Sequence, residues 1–139
     1  MKKILVIHSP NLNLLGRREP ELYGRTTLRE ILDGLRRRFP DIVIEDFQSN
    51  SEGELIDRLQ QTDADGVVLN AGGYSHTSVA LADAVAAIDA PVVEVHLTNI
   101  YAREAVRRNS LLSSACRGVI AGFGPEVYAL GVEALRSGL

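Results

Sequence analysis

The stretch PVVEVHLTN, residues 91–99, decides the fold because it is typical of a buried strand that ends in polar side chains. Its valines are apolar and β-branched, as expected of a strand covered on both faces. Side chains alternate along a strand, so Glu94 and His96 point the same way near its C-terminal end. Ligands of open α/β sheets bind at this end of the strands. A carboxylate beside an imidazole suits a general acid or base, whereas a lone histidine here more often makes structural hydrogen bonds.

Apolar runs alternate with amphipathic stretches along the rest of the chain. The predicted strands cover residues 4–7, 42–47, 66–69, 91–97 and 118–121. The predicted helices begin at capping-box motifs at 27–30 and 51–54, after the segment 70–78, and at Pro125. This alternation predicts an α/β protein whose parallel sheet is covered on both faces. The best match is a flavodoxin-like three-layer sandwich with a five-stranded parallel sheet in the order 2-1-3-4-5, built as one domain.

Composition and charge argue against several classes of protein. The 139 residues carry a net charge of −3, which gives no electrostatic footprint for nucleic acid or an anionic membrane. The single cysteine, Cys116, allows no internal disulfide and no cysteine-based metal site, and it favours a reducing compartment. The N-terminal apolar run is too short for a signal segment or a membrane span. We therefore expect a cytoplasmic protein.

No metal is predicted either. The three histidines, His8, His76 and His96, come from separate predicted strands. Three imidazoles could bind zinc by number alone, but paired spacing such as His-x-His is missing. The more informative feature is that polar loops 8–25, 70–78 and 94–99 follow neighbouring strands of the predicted sheet. Polar loops that converge at one sheet edge predict a ligand site there.

The first of these loops is long for a compact domain. Residues 8–24 show no pattern of regular structure, and loops of this length are often lids or binding loops. Within it, Arg17 and Arg18 lie close in sequence to Tyr23. A guanidinium favours the phenolate form of a nearby tyrosine, which would make the phenol usable as a base. The alternative is a solvated basic loop with an ordinary surface tyrosine.

The second loop, NAGGYSHTS, is rich in glycine and hydroxyl side chains and precedes a predicted helix. It could bind an anion through backbone N–H groups, although it is not a P-loop. Ser75 or Thr77 could instead cap the helix, whereas Asn70 and His76 have no capping duty. Further on, Asp83 is either an exposed helix carboxylate or a group that reaches across a subunit interface.

The third loop offers backbone and guanidinium donors. The backbone N–H groups of Leu97 and Thr98 could bind a carboxylate or hydroxyl. Arg103 and Arg107 are i, i+4 neighbours, and an arginine fork is a preferred partner of a carboxylate. Ion pairs on the surface are the alternative for these two arginines.

With these residues assembled, the chain resembles the type II 3-dehydroquinate dehydratases over nearly its whole length. The matching segments are PNLNLLGRREPELYG (10–24), NAGGYSHTSVALADA (70–84), EVHLTNIYAREAVRRNS (94–110) and GVIAGFGPEVYAL (118–130). Ser9 departs from the pattern, because the family usually has glycine before the Pro-Asn pair. A serine there could require a different backbone dihedral and shift the start of the loop.

The resemblance implies a hydro-lyase that converts 3-dehydroquinate to 3-dehydroshikimate and water in the shikimate pathway, without metal, cofactor or Schiff base. By resemblance, Tyr23 takes a proton from the carbon next to the ketone and Arg18 holds it as phenolate. Asn11 then stabilises the enolate, through a water. His96 protonates the departing hydroxyl, and Glu94 orients His96.

The resemblance also implies substrate-binding residues and an assembly. The residues implied to bind substrate are Asn70, His76, Arg107 and the backbone of Leu97 and Thr98, with Asp83 contributed by a neighbouring subunit. Family members assemble as a dodecamer of trimers, which the alanine-rich helix would suit. Residues 1–139 would form a single catalytic domain with a flexible lid at about 9–25.

Two other functions remain to be compared with this one. A non-catalytic flavodoxin-like module that binds a flavin or a nucleotide phosphate would explain the fold and the glycine-rich loop. It would leave the Glu94/His96 and Arg18/Tyr23 pairs without a role. A scaffolding homologue that kept the assembly and lost activity is the other alternative, and the complete set of implied catalytic residues argues against it.

Overall fold

The computed structural model describes residues 2–137, and its centre is a parallel sheet. The strands are β1 (Lys2–His8), β2 (Ile42–Gln48), β3 (Gly66–Asn70), β4 (Val92–His96) and β5 (Gly118–Ala121). They pair in parallel in the order β2-β1-β3-β4-β5, which confirms the predicted topology. The polar ends of β1, β3 and β4 therefore meet at one edge of the sheet.

Helices cover both faces of the sheet. They are α1 (Pro20–Tyr23), α2 (Leu28–Arg38), α3 (Glu52–Gln61), α4 (Val79–Ala87) and α5 (Glu126–Arg136). The apolar side chains of α2 and α5 form one core with one face of the strands, and those of α3 and α4 form a second core with the other face. The three-layer sandwich is thus confirmed. Within residues 2–137, no helix is long and apolar enough to cross a bilayer.

The start of α2 shows that local sequence sets the helix boundaries. The Thr27 hydroxyl accepts from the Glu30 N–H, and the Glu30 carboxylate accepts from the Thr27 N–H, so the predicted capping box is present. The box predicted for α3 is only half formed. Ser51 accepts from the Glu54 N–H, but the Glu54 carboxylate binds the hydroxyl of Ser49 instead.

The loop after β1 is more ordered than its sequence suggests. A 3₁₀ turn spans Leu12–Leu14, and the short helix α1 begins with a proline at its first position. The expectation of an irregular segment is therefore wrong in part, because elements of one turn leave no periodic signal in a sequence. Similarly, the segment after β4 contains 3₁₀ turns at Ile100–Ala102 and Ala105–Arg107.

Candidate active site

A cavity of about 470 Å³ opens above the C-terminal ends of β1, β3 and β4. Nine of the residues predicted to form the site line it: Asn11, Arg18, Tyr23, Asn70, His76, His96, Leu97, Thr98 and Arg107. All but Arg107 come from the three polar loops that the sequence placed at this edge. The fold therefore brings together, in one concave space, polar side chains that are far apart along the chain.

The imidazole of His96 is held from behind by a buried carboxylate. Glu94 has no exposed surface, and it contacts the Nε2 atom of His96 through one oxygen. Its other oxygen accepts from the Ser113 hydroxyl at 2.8 Å. Burial by itself raises the pKa of the Glu94 carboxyl, but the His96 contact and the hydroxyls of Ser110 and Ser113 outweigh it and hold the pKa below its usual range. Glu94 is therefore an anion that can support an imidazolium at His96.

Two guanidinium groups surround the phenol of Tyr23. The Arg18 guanidinium carbon lies 4.5 Å from the centroid of the Tyr23 ring, over its face. The hydrogen bond to the phenol oxygen comes from Arg103, whose Nη1 lies 3.1 Å away. Tyr23 is 8% exposed, so these two charges act on a phenol largely shielded from water. The phenol oxygen therefore lies beside positive charge in a largely buried site.

The orientation of His76 is set by one backbone contact. Its Nδ1 atom lies 2.8 Å from the carbonyl oxygen of Asn109. Because a carbonyl only accepts, Nδ1 of His76 carries a proton and donates it to this contact. The ring stacks near His96, with centroids 6.2 Å apart. His76 therefore lies directly beside the Glu94/His96 pair.

The amide of Asn70 is also fixed by its neighbours. Its Oδ1 accepts from the Gly72 N–H at 3.2 Å, and its Nδ2 donates to the Tyr128 hydroxyl at 2.9 Å. Asn11, which also lines the cavity, has a left-handed backbone with φ of 71°. The Asn11 N–H donates to Oδ1 of Asn50 at 3.1 Å, which ties this loop to the end of β2.

Ser9 fits the start of the loop without strain. Within residues 2–137, the only non-glycine residues with positive φ are Asn11 and Glu19, so Ser9 needs no glycine-like conformation. Its side chain is buried, and its hydroxyl donates to the carbonyl oxygen of Asn70 at 2.7 Å. The expectation that serine could require a different dihedral is therefore not met.

The structure settles alternatives that the sequence left open at four residues. Asp83 lies on the exposed side of α4 and does not line the cavity of its own chain. Arg107 lines the cavity and also pairs with Glu104, so it combines the two alternatives that the sequence left open. Neither Ser75 nor Thr77 caps α4, because the hydroxyl of Ser78 accepts from the Leu81 N–H at 2.9 Å. That capping prediction is wrong, since the preceding 3₁₀ turn extends to His76.

Sequence reasoning did not identify Asn50 and Tyr74 as cavity residues, and it did not predict the contact that Arg103 makes. Asn50 follows the end of β2 and lines the cavity beside Tyr74, whose hydroxyl donates to the Asn50 carbonyl oxygen. The rule that ligands bind at strand ends could have found Asn50. Arg103 was paired with Arg107 by sequence spacing, yet it contacts a residue 80 positions away. No local signal reports such a contact.

His8, which is buried outside the cavity, is expected to make the stability of the fold depend on pH. His8 has no exposed surface, and burial lowers its pKa to about 4 from 6.5. Between these values the unfolded chain binds a proton at His8 that the folded chain does not, so acid favours unfolding. We expect His8 to reduce the free energy of unfolding by about 3 kcal/mol between pH 7 and pH 4.

Denaturant unfolding at several pH values checks this prediction. The variant His8→Asn carries no titrating group there, so its unfolding free energy should fall less steeply below pH 6.5. The difference in slope between wild type and variant isolates His8 from the carboxylates that titrate lower. Parallel curves for the two proteins would show that His8 is not held neutral by burial.

Within residues 2–137, no three His, Cys, Asp or Glu side chains are grouped as a metal site requires.

Comparisons with known proteins agree on one family. The family model described as Dehydroquinase class II matches residues 2–136. A 3-dehydroquinate dehydratase of Pelodictyon phaeoclathratiforme is 54% identical over 95% of this chain and 90% of its own. Another, from Chlorobaculum tepidum, is 52% identical over 95% of this chain and 92% of its own.

Solved structures give the same result. The type II dehydroquinase of Butyrivibrio crossotus matches with a TM-score of 0.95 at 37% identity, over 98% of each chain. That of Propionibacterium acnes matches with a TM-score of 0.93 at 39% identity, over 97% of this chain and 96% of its own. These matches confirm the resemblance seen in the sequence and give no support to a non-catalytic flavodoxin-like module. The chain belongs to the class II dehydroquinase family.

Proposed function

We propose that this protein dehydrates 3-dehydroquinate to 3-dehydroshikimate and water through an enolate. The observation that carries the proposal is that Tyr23, flanked by two guanidinium groups, and His96, supported by Glu94, line the same cavity. Such a cavity holds a base and an acid together, as an elimination requires. Relatives about half identical to this chain are named 3-dehydroquinate dehydratase.

The first step is proton abstraction by Tyr23. The phenolate oxygen takes the proton from the carbon next to the ketone, and the electron pair of that bond moves onto the ketone oxygen. Arg103, at 3.1 Å, and Arg18, over the ring, stabilise the phenolate before this step. Asn11, through a water, stabilises the enolate oxygen, as preorganised donors do for an oxyanion.

The second step is protonation of the leaving group by His96. The enolate re-forms the ketone, the carbon–oxygen bond to the hydroxyl breaks, and an imidazolium proton leaves with that oxygen as water. Glu94 contacts Nε2, so Nδ1 is the nitrogen that gives up the proton. Tyr23 gains a proton and His96 loses one, and exchange with solvent restores both groups after each turnover.

Substrate is held by polar groups around the cavity. Asn70, His76 and the backbone of Leu97 and Thr98 bind substrate hydroxyls and carboxylate, and Arg107 adds a charge that matches the carboxylate. No metal or cofactor takes part in this proposal. The segment of about residues 9–25 acts as a lid over the cavity and carries Tyr23.

We place the protein in a dodecamer of trimers in the cytoplasm, serving the shikimate pathway of aromatic amino acid biosynthesis. The exposed side of α4 supports an assembly, because Val79 is 63% exposed and Ala80, Ala86 and Ala87 are exposed on the same helix. In that assembly Asp83, which does not line its own cavity, reaches the cavity of a neighbouring subunit.

Product analysis tests the proposed reaction. Purified protein is incubated with 3-dehydroquinate, and proton NMR follows substrate and product. We expect 3-dehydroshikimate to appear in the amount of substrate consumed. Substrate that stays unchanged, or a different product, would refute the proposal. A visible flavin spectrum in the purified protein would revive the flavodoxin-like binding module.

Removing the hydrogen bond from Ser113 to Glu94 is expected to have a smaller effect on turnover than removing the acid itself. In Ser113→Ala the Glu94 oxygen loses a hydrogen bond of 2.8 Å inside a buried site. A hydrogen bond to a charged group is worth about 1.5–3 kcal/mol, so we expect kcat to fall roughly tenfold or more. Steady-state kinetics measures this, with the exposed Ser114→Ala as the matched control. Equal kcat values for both variants would show that Ser113 does not support the acid.

A further inference from the structure

A buried polar cluster links Asn70, which lines the cavity, to two residues that the proposed chemistry does not use. Its members are Asn70 at the end of β3, Tyr128 on α5 and His8 at the end of β1, which are 3%, 0% and 0% exposed. The core around Tyr128 is otherwise apolar. A polar group in such a place is costly unless it is hydrogen-bonded. The hydroxyl of Tyr128 therefore needs hydrogen-bond partners in addition to the packing of its ring.

The direction of each hydrogen bond in the cluster follows from the partners. The Gly72 N–H can only donate, so the atom of Asn70 that faces it is Oδ1, and Nδ2 faces Tyr128. The Tyr128 oxygen thus accepts from Asn70. Burial raises the pKa of Tyr128, so its phenol stays protonated and needs an acceptor of its own.

His8 is that acceptor. Its Nδ1 lies 3.2 Å from the Tyr128 oxygen. Because burial lowers the pKa of His8 to about 4, the ring is neutral at pH 7 and Nδ1 can accept while Nε2 carries the proton. Asn70 therefore donates to Tyr128, and Tyr128 donates to His8.

We infer that Tyr128 is a positioning residue that locks the side-chain amide of Asn70 for substrate binding. The lock uses one amide hydrogen and one lone pair of Asn70, which leaves one hydrogen and one lone pair free on a residue that lines the cavity. One donor beside one acceptor matches a hydroxyl, which can accept and donate at once. The inference rests on the proposed function, in which Asn70 binds a substrate hydroxyl.

The test compares variants that break the lock at different points. Tyr128→Phe removes only the hydroxyl and keeps the ring in the core. His8→Leu removes the acceptor, whereas His8→Asn keeps an oxygen near the position of Nδ1. With 3-dehydroquinate as substrate, we expect Tyr128→Phe and His8→Leu to raise KM about tenfold with kcat within about twofold. His8→Asn should restore KM to within about threefold of wild type.

A double variant separates positioning from a general loss of structure. If Tyr128 acts through Asn70, then adding Tyr128→Phe to Asn70→Ala should not raise KM further. Independent structural damage would multiply the two effects. Denaturant unfolding of each variant shows whether the fold survives. Should Tyr128→Phe fail to fold, His8→Leu paired with Asn70→Ala makes the same comparison.

The outcomes separate a failure of this inference from a failure of the proposed function. Wild-type protein that does not turn over 3-dehydroquinate would overturn the proposed function and the lock with it. An active wild type with an unchanged KM in Tyr128→Phe would overturn the lock alone. Multiplying effects in the double variant would do the same.

Discussion

Replacing Tyr23 by phenylalanine is expected to lower kcat about a thousandfold while substrate still binds. The phenol oxygen is the proposed base, and general base catalysis contributes roughly a hundredfold to ten-thousandfold. The ring remains, so its contact with the Arg18 guanidinium and its burial remain as well. Only the oxygen that receives the hydrogen bond from Arg103 is lost. Chemistry should therefore fail with little loss of affinity.

Steady-state kinetics and calorimetric titration with 3-dehydroquinate check this prediction together. The matched control is Tyr101→Phe, because Tyr101 is 61% exposed and does not line the cavity. The control should keep the wild-type kcat. A Tyr23→Phe variant that turned over at the wild-type rate would remove Tyr23 as the base. A variant that neither turned over nor bound would show that the phenol serves binding instead.

The second large effect is expected at His96. In His96→Asn the ionisable imidazole is gone, so the leaving hydroxyl must depart without a proton from the protein. We expect kcat to fall by about a hundredfold to ten-thousandfold. The loss should be greater than in Ser113→Ala, because Ser113 acts only through Glu94.

A folding control makes the His96 prediction specific. Circular dichroism must show that the variant is folded, since Glu94 loses its buried partner. Substantial turnover by a folded His96→Asn variant would exclude His96 as the acid.

Much of the fold was predictable because its signals are local. Valine-rich strands, a complete capping box at Thr27 and the alternation of strands with helices all agree on one parallel sheet. The placement of Glu94 and His96 followed from the two-residue period of a strand together with the position of strand ends. These inferences needed no knowledge of distant contacts.

What escaped prediction depends on tertiary contacts. Arg103 reaches the Tyr23 oxygen across 80 positions, and spacing in sequence suggested a different partner. Ser78 caps α4 because the length of the preceding 3₁₀ turn decides which hydroxyl lies at the start of the helix. The lock on Asn70 joins three separate elements, so only the folded chain brings it together.

The most direct test of the central claim follows the ultraviolet absorbance of the conjugated enone product. Purified protein, treated with EDTA, is mixed with 3-dehydroquinate, with and without prior exposure to substrate and borohydride. A steady rise in absorbance that neither treatment alters is the predicted result, because Tyr23 and His96 supply the base and acid without a metal or an imine. No rise, or a rise that either treatment abolishes, would contradict the account.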